Sequence, residues 1–225
     1  MRDANPNDPN LRLAGSWRDN ADVWTRAVRD GTIESRRRVT DAAIVDVVLS
    51  HCPSRVLDLG CGEGWLARAL LARGIEVVGV DGSEPLVAAA RAAGGGVFHH
   101  CDYDGLIRDP MSLGGGFDLV VANFALLQQD LAPLLAALRR LSVPGGGLVI
   151  QTVHPLTVGG DEGWREENFV QFEGRWRPMP WYFRTLDSWR SELRGAGYDV
   201  VGVREPAHPD TQAPVSLILE GAVQA

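Results

Sequence analysis

The stretch RVLDLGCGEGWLARALLARGIEVVGVD, Arg55 to Asp81, decides the fold. Val56–Leu59 reads as a short buried strand, Gly60–Gly62 as a tight turn, Gly64–Arg73 as a helix closed by Gly74, and Glu76–Val80 as a second strand that ends on Asp81. Glycines at 60 and 62 let the backbone turn sharply and approach a ligand, and the helix that follows aims its first N–H groups at the same place. Asp81 lies 21 residues after Gly60, the spacing at which a strand-tip carboxylate accepts ribose hydroxyls. The stretch therefore predicts a site for a nucleotide-type ligand.

Outward from this unit the alternation continues. Ser83–Ala93 reads as a helix with Ser83 as N-cap and Pro85 in its first turn, Val97–Cys101 as a third strand, Phe117–Asn123 as a fourth, Leu131–Leu141 as a helix, and Leu148–His154 as a fifth strand after the PGGG turn. Strands alternating with helices predict a parallel sheet covered on both faces. Upstream, Ser16–Arg29 is one amphipathic helix capped by Ser16, and Glu34–Ser50 is another, ended by Pro53. Downstream, Pro155–Arg184 has no clear period, Leu186–Arg194 is a helix capped by Thr185 or Asp187, and Tyr198–Val203 and Val215–Leu219 are the last strands. Residues 1–15 read as a flexible tail and 16–225 as a single domain, with 16–50 as its N-terminal helices.

The 225 residues carry a net charge of −7 and a 45% apolar content. That content fits one globular α/β domain with a real core, and the acidic balance argues against a broad nucleic-acid footprint. Cys52, Cys61 and Cys101 are dispersed and form no CxxC pair, so reduced thiols are expected and no disulfide framework. His99, His100 and Cys101 superficially suggest a metal cluster, but adjacent strand residues point to opposite faces, so no metal is expected. The first 13 residues lack an apolar signal core, and no run approaches the ~20 apolar residues of a membrane span. A soluble, cytoplasmic protein is the expectation.

Both a dinucleotide and S-adenosylmethionine suit a glycine turn followed by an acid. The dinucleotide fingerprint wants a third small residue where this chain has Trp65. Asp58, just before the turn, is awkward beside a pyrophosphate and suits a ligand with an amino group and a sulfonium. The blocks VLDLGCGEG with Asp81, HCDYD, FDLVVANFALL and LSVPGGGLVIQTVHP occur in the order and spacing of class I S-adenosylmethionine-dependent methyltransferases. The chain resembles their small-molecule branch, which includes the quinone methyltransferases, from about Arg55 to the C-terminus. The resemblance implies a Rossmann-like, doubly wound sheet of seven strands with the last one antiparallel.

The resemblance also implies roles. Gly60, Cys61 and Gly62 line the methionine part of the cofactor, Asp58 lies near its amino group, Asp81 holds the ribose, and Gly82 is a further cofactor-binding residue. Asp102 takes the adenine amine, with Asp104 as rival, and Cys101 and Tyr103 flank the ring. Asn123, through its backbone carbonyl, and Phe124 lie near the sulfonium. Arg36, the first of three consecutive arginines, meets the cofactor carboxylate. The chemistry is an in-line displacement that needs positioning and exclusion of water. A general base is required only if the nucleophile holds a proton of high pKa; His154 and, more weakly, Tyr182 are the candidates.

Residues 155–184 hold seven of the 16 aromatic residues. They are read as a substrate lid that, with Trp17 and Trp24, roofs a site for an apolar or planar small molecule; a structural hairpin or a homodimer contact is the alternative. The chain lacks the [DNS]PP[YF] block of amino-methylating DNA enzymes, having ANFA instead. A silent cofactor-binding module, or methylation of a protein or nucleic-acid substrate, is the alternative.

Overall fold

The computed structural model describes residues 7–224. Its sheet has seven strands: β1 (Arg55–Leu59), β2 (Glu76–Asp81), β3 (Val97–His100), β4 (Phe117–Asn123), β5 (Ser142–Val153), β8 (Tyr198–Arg204) and β9 (Ser216–Val223). Their order is β3-β2-β1-β4-β5-β9-β8. The pairs β1–β2, β1–β4, β2–β3 and β4–β5 are parallel, whereas β9 runs antiparallel to both β5 and β8. This is the Rossmann-like methyltransferase sheet expected. The PGGG turn is absorbed into β5, with a register shift between Phe117 and Leu119 on its neighbour.

The inner strands are apolar on both faces because helices cover both. On one face Leu57, Leu59, Val120 and Ile150 pack against α6 (Tyr103–Arg108), α7 (Ala132–Leu141) and α9 (Leu186–Gly195) through Leu106, Leu138 and Trp189. On the other, Val56, Val121 and Val149 meet Ile44 and Val48 of α3 (Asp41–Ser50), Leu66 and Leu70 of α4 (Trp65–Leu71), and Val87 of α5 (Glu84–Ala93). Asp118 starts β1 in register: its Oδ2 accepts the peptide N–H groups of both Ser54 and Arg55 at 2.8 Å.

Several expected boundaries are corrected. The first helix begins at Pro9, not Ser16, with Asp8 as N-cap, so residues 9–15 are helical; residues 1–6 of the expected tail lie outside the described residues. It ends at Asp19, and a separate α2 (Ala21–Arg29) follows α1 (Pro9–Asp19). Ser16 is no cap: it is buried inside α1 and donates to the Pro178 carbonyl. Arg36–Thr40 forms a π-type turn leading into α3. Ser83 does precede α5, but its hydroxyl donates to the Trp17 carbonyl instead of capping.

The segment after β5 is not irregular. A short α8 (Pro155–Val158) leads into an antiparallel ribbon of β6 (Gly163–Glu167) and β7 (Met179–Phe183). The ribbon carries Phe169, Phe172 and Trp176 in its connection, and these pack with Leu13, Trp17 and Leu127. Asn20, 1% exposed, fastens the connection to the α1–α2 elbow: it accepts from Arg177 N–H at 2.8 Å and donates to the Arg177 carbonyl at 2.9 Å.

Candidate active site

A cavity of about 200 Å³ opens at the C-terminal ends of β1, β2 and β4. Its floor is the glycine turn. Gly60 and Cys61 both donate their N–H to the Val80 carbonyl, which fixes the turn against β2. Gly60 has φ +69°, and an added Cβ would come within 2.5 Å of the Ala125 Cβ. Only glycine permits both the left-handed backbone and that approach. Gly64, at φ +85° before α4, is closed in the same way by the Phe98 ring, 2.9 Å from an added Cβ.

Asp81 holds the turn: its Oδ2 accepts Gly62 N–H at 2.9 Å and its Oδ1 accepts Ser83 N–H at 2.7 Å. Each oxygen keeps a second lone pair for a ligand hydroxyl. Burial raises its pKa, and the two peptide hydrogen bonds oppose the rise. Asp58 lies behind the turn, 1% exposed, and does not reach the cavity wall. Burial, and next the charge of Asp81, push its pKa up to about 7. Its Oδ2 has no hydrogen-bond partner, a costly state for a buried carboxylate unless a cation approaches.

Asp102 caps α6 through Oδ1, which accepts Gly105 N–H at 2.7 Å, and its other oxygen stays free of that bond. The Tyr103 hydroxyl donates to the Ala125 carbonyl at 3.1 Å, tying α6 to the segment after β4. Burial raises that phenol's pKa. Asn123 lines the cavity with a buried, unpartnered Oδ1, and Phe124 takes a strained φ of +53° while its N–H bonds the Gln151 carbonyl.

The roof comes from the N-terminal helices. Leu13, Ala14 and Trp17 of α1 face the cavity, as does Trp24 of α2, whose ring meets Trp17 edge to face at 5.3 Å. Arg36 stacks on Trp65 at 4.7 Å and lies 5.8 Å from the Trp24 centroid; its Nε binds Asp41 at 3.0 Å while one terminal nitrogen is buried without a partner. Glu63, fully buried, clamps the roof to the turn: it accepts from Arg29 at 2.8 Å and from Arg68 at 2.7 Å.

Ten of the eleven expected cofactor residues thus line one cavity: Arg36, Gly60, Cys61, Gly62, Asp81, Gly82, Asp102, Tyr103, Asn123 and Phe124. Asp58 stands directly behind them. The two base candidates do not join them. His154 is 2% exposed and off the cavity wall; its Nδ1 accepts Leu156 N–H and its Nε2 meets Glu205 at 2.9 Å. Both ring nitrogens are therefore occupied, Nδ1 by the start of α8 and Nε2 by Glu205. Tyr182 sits in β7 against Trp164 and Arg184, away from the cavity, and burial followed by the Glu162 charge raises its pKa, which keeps it a phenol. Nor does any residue of 155–184 line the cavity. The aromatic segment backs the roof from one layer out.

That segment also holds residues 127–129 beside the cavity. The Leu127 carbonyl accepts Tyr182 N–H at 2.8 Å, and the buried Arg184 guanidinium, between the Tyr182 and Trp189 rings, donates to the Gln128 and Gln129 carbonyls. Gln128, Glu63, Trp65 and Leu86 line the cavity without having been expected there. Two had a sequence signal: Glu63 stands inside the glycine turn, and Leu86 is the first apolar residue after Asp81 and the Ser83 turn. Gln128 had none, because its place depends on the distant Arg184. Among the described residues no cluster of three His, Cys, Asp or Glu side chains is arranged to hold a metal ion, and no helix is long and apolar enough to cross a membrane.

Sheet order, glycine turn and strand-tip acids together define a class I methyltransferase. Residues 33–203 match the family model described as a methyltransferase domain, and the chain belongs to that family. It is 37% identical over 123 residues to a demethylmenaquinone methyltransferase of Thermus thermophilus, covering 51% of this chain and 54% of that one. It is 32% identical over 167 residues to an uncharacterized methyltransferase of Mycobacterium tuberculosis, covering 68% of this chain and 82% of that one. The chain spans about half the length of the first of these relatives. Among solved structures it resembles an S-adenosylmethionine-dependent methyltransferase of Mesorhizobium loti (25% identity, TM-score 0.61, 79% of this chain and 96% of that one). It also shares the fold of a Burkholderia thailandensis 1,6-didemethyltoxoflavin N1-methyltransferase (22% identity, TM-score 0.64, 99% and 93%).

Proposed function

We propose that this chain moves a methyl group from S-adenosylmethionine to a small, planar or apolar molecule by in-line displacement. One observation carries the reading: a single cavity collects the glycine turn, Asp81, Asp102 and Arg36 while unpartnered polar atoms face or flank it. Those atoms suit the donor's charges. The free Arg36 nitrogen matches its carboxylate, the buried Asp58 charge favours its ammonium, and Asp81 has lone pairs for its ribose. When bound, S-adenosylmethionine supplies an electrophilic methyl on a positively charged sulfur.

The chain's own part is to orient and to dry the site. Trp17 and Trp24 exclude water from above, and Phe124 with Leu13 and Ala14 offers an apolar berth beside the donor. The resemblance to quinone-type and toxoflavin-type enzymes supports a planar acceptor. The test is calorimetric titration of the ligand-free protein with S-adenosylmethionine and S-adenosylhomocysteine, with NAD as control. Saturable binding of the adenosyl ligands, lost in Asp81→Ala, is expected; binding of NAD alone overturns the reading.

A further inference from the structure

The cavity has two unlike ends. Gly82 and Asp102 close one, an added Cβ on Gly82 lying 3.5 Å from the Asp102 Cα. Asn123, Phe124, Ala125 and Gln128 line the cavity from the β4 side, and Leu13, which packs with Leu127, and Ala14 line it from α1; we take these as the other end. Because Asp81, Gly82 and Asp102 are the proposed holders of the adenosyl part, the second end receives the acceptor. None of its six residues is titratable.

Among the described residues, the remaining ionisable groups of the wall are also unfit to take a proton there. Tyr103 is the one that touches this end, and its hydroxyl already donates to the Ala125 carbonyl, with a pKa raised by burial. Cys61 is buried and its pKa rises well above the ordinary thiol value, so it stays protonated. Glu63 is held by two arginines and Asp81 by two peptide N–H groups. Asp102 sits at the far end, and Arg18 and Arg36 are cations. Behind the wall, Asp58 is screened by the glycine turn and His154 is spent on Leu156 and Glu205. At the acceptor end the buried, unpartnered Asn123 Oδ1 accepts a hydrogen bond but, as an amide, cannot keep a proton.

We infer that the acceptor is methylated without help from a protein base, and that its reacting atom is one that needs none: an amine nitrogen, a thiolate sulfur, or the oxygen of an acidic hydroxyl such as a phenol or enol. This rests on the methyl-transfer reading and adds the acceptor's chemical class to it. The acceptor's lone pair forms the new bond to the methyl carbon while the carbon–sulfur bond breaks and its electrons remain on sulfur. An anionic oxygen or sulfur then gives a neutral product directly. An amine gives an ammonium, whose proton passes to solvent after transfer.

The experiment uses the full chain at saturating S-adenosylmethionine carrying a labelled methyl group, so that titrations affecting donor binding drop out. Acceptors are ring-matched phenols whose hydroxyl pKa falls from about 10 by roughly three units, an aromatic amine, a thiophenol, and benzyl alcohol as the unactivated hydroxyl. Transfer to the phenols is expected to rise with pH to a plateau whose midpoint follows each phenol's own pKa unit for unit, with no transfer to benzyl alcohol. A midpoint that stays fixed across the phenols, or methylation of benzyl alcohol, overturns the inference by revealing a protein base. Absence of transfer to every phenol, amine and thiol, in protein that binds the donor, overturns the proposed acceptor class. Failure of the donor to bind, measured first by calorimetry, instead sinks the methyl-transfer reading itself.

Discussion

Asp58→Asn should stabilise the ligand-free protein while weakening its hold on the donor. The Asp58 carboxyl is wholly buried, one oxygen lacks a partner, and its pKa is raised from 3.8 to about 7. A raised folded-state pKa means that the native state binds this proton more tightly than the unfolded chain does. The corresponding stabilisation is full below the unfolded value and is lost as pH rises through about 7. A shift of about three units corresponds to at most about 4 kcal/mol against the native state at pH 8. The amide removes that charge but brings an N–H without a partner, which costs about 1–3 kcal/mol. A net gain of about 1–3 kcal/mol remains, or roughly 2–12 °C in melting temperature for a chain of this size. The gain should shrink toward pH 5, where the wild-type carboxyl is already protonated.

Donor binding should move the opposite way. An ammonium arriving near Asp58 favours the carboxylate, so binding expels the proton below pH 7. If the bound-state pKa returns to the ordinary range, wild-type affinity for S-adenosylhomocysteine falls about fivefold from pH 7 to pH 6 and about tenfold over the next unit. Titration calorimetry between pH 5 and 7.5 avoids ionisation of the ligand's own amino group, and urea unfolding at pH 5 and pH 8 gives the stability. Asp58→Asn should flatten the binding slope and lower its plateau. A wild-type affinity that is flat across this range, or a folded Asp58→Asn protein less stable than wild type at pH 8, refutes the reasoning.

Gly60→Ala should lower stability by about 2–4 kcal/mol, combining the left-handed backbone with overpacking against Ala125, and thermal melting paired with calorimetry should show donor binding lost as well. Asn20→Ala strips both hydrogen bonds from the Arg177 backbone; a loss of about 2–4 kcal/mol in urea unfolding is expected, and a loss under 0.5 kcal/mol, by the usual scale of neutral surface changes, would show that the roof is not fastened there. His154→Gln should keep methyl transfer within about threefold while costing about 1 kcal/mol of stability. A drop of a hundredfold or more, in the range of a removed general base, would return His154 to the chemistry.

The sheet was legible because its inner strands are short apolar runs bounded by turn residues, a signal that does not depend on distant partners. The donor end of the site was legible for a related reason. A glycine turn and the acids at the tips of β1 and β2 are fixed by backbone geometry within 27 residues of chain, Arg55 to Asp81. The misreadings share the opposite property. The tail reading of residues 1–15 misses that Asp8–Pro9 is a cap followed by proline in the first turn of α1. The short α6 escaped notice because Gly105 interrupts it and Leu106 is its one buried residue. The ribbon β6–β7 has a charged first strand and pairs across an eleven-residue connection, so no alternation announced it. His154 follows β5 at the expected end of the sheet, but being near that end does not determine which way the ring turns. Glu205, 51 residues later, determines that.

The aromatic segment exposes the same limit from another side. Seven aromatic rings suggested a pocket wall, yet they form a second layer whose hydrogen bonds reach inward at two places, Asn20 in the roof and the Leu127–Gln129 carbonyls beside the cavity. A wall built this way separates two demands. The donor end is fixed by short-range backbone contacts in the sheet and tolerates little change, as the clash at Gly60 shows. The end proposed to receive the acceptor is shaped at one remove, by a ribbon whose own rings pack against each other. Rings in the second layer pack on Leu13, and Arg184 holds the Gln128 carbonyl, while no residue of the ribbon lines the cavity. Aromatic density in such an insertion therefore reports how firmly the acceptor wall is held. The chemistry of the acceptor is read from the few side chains that line it.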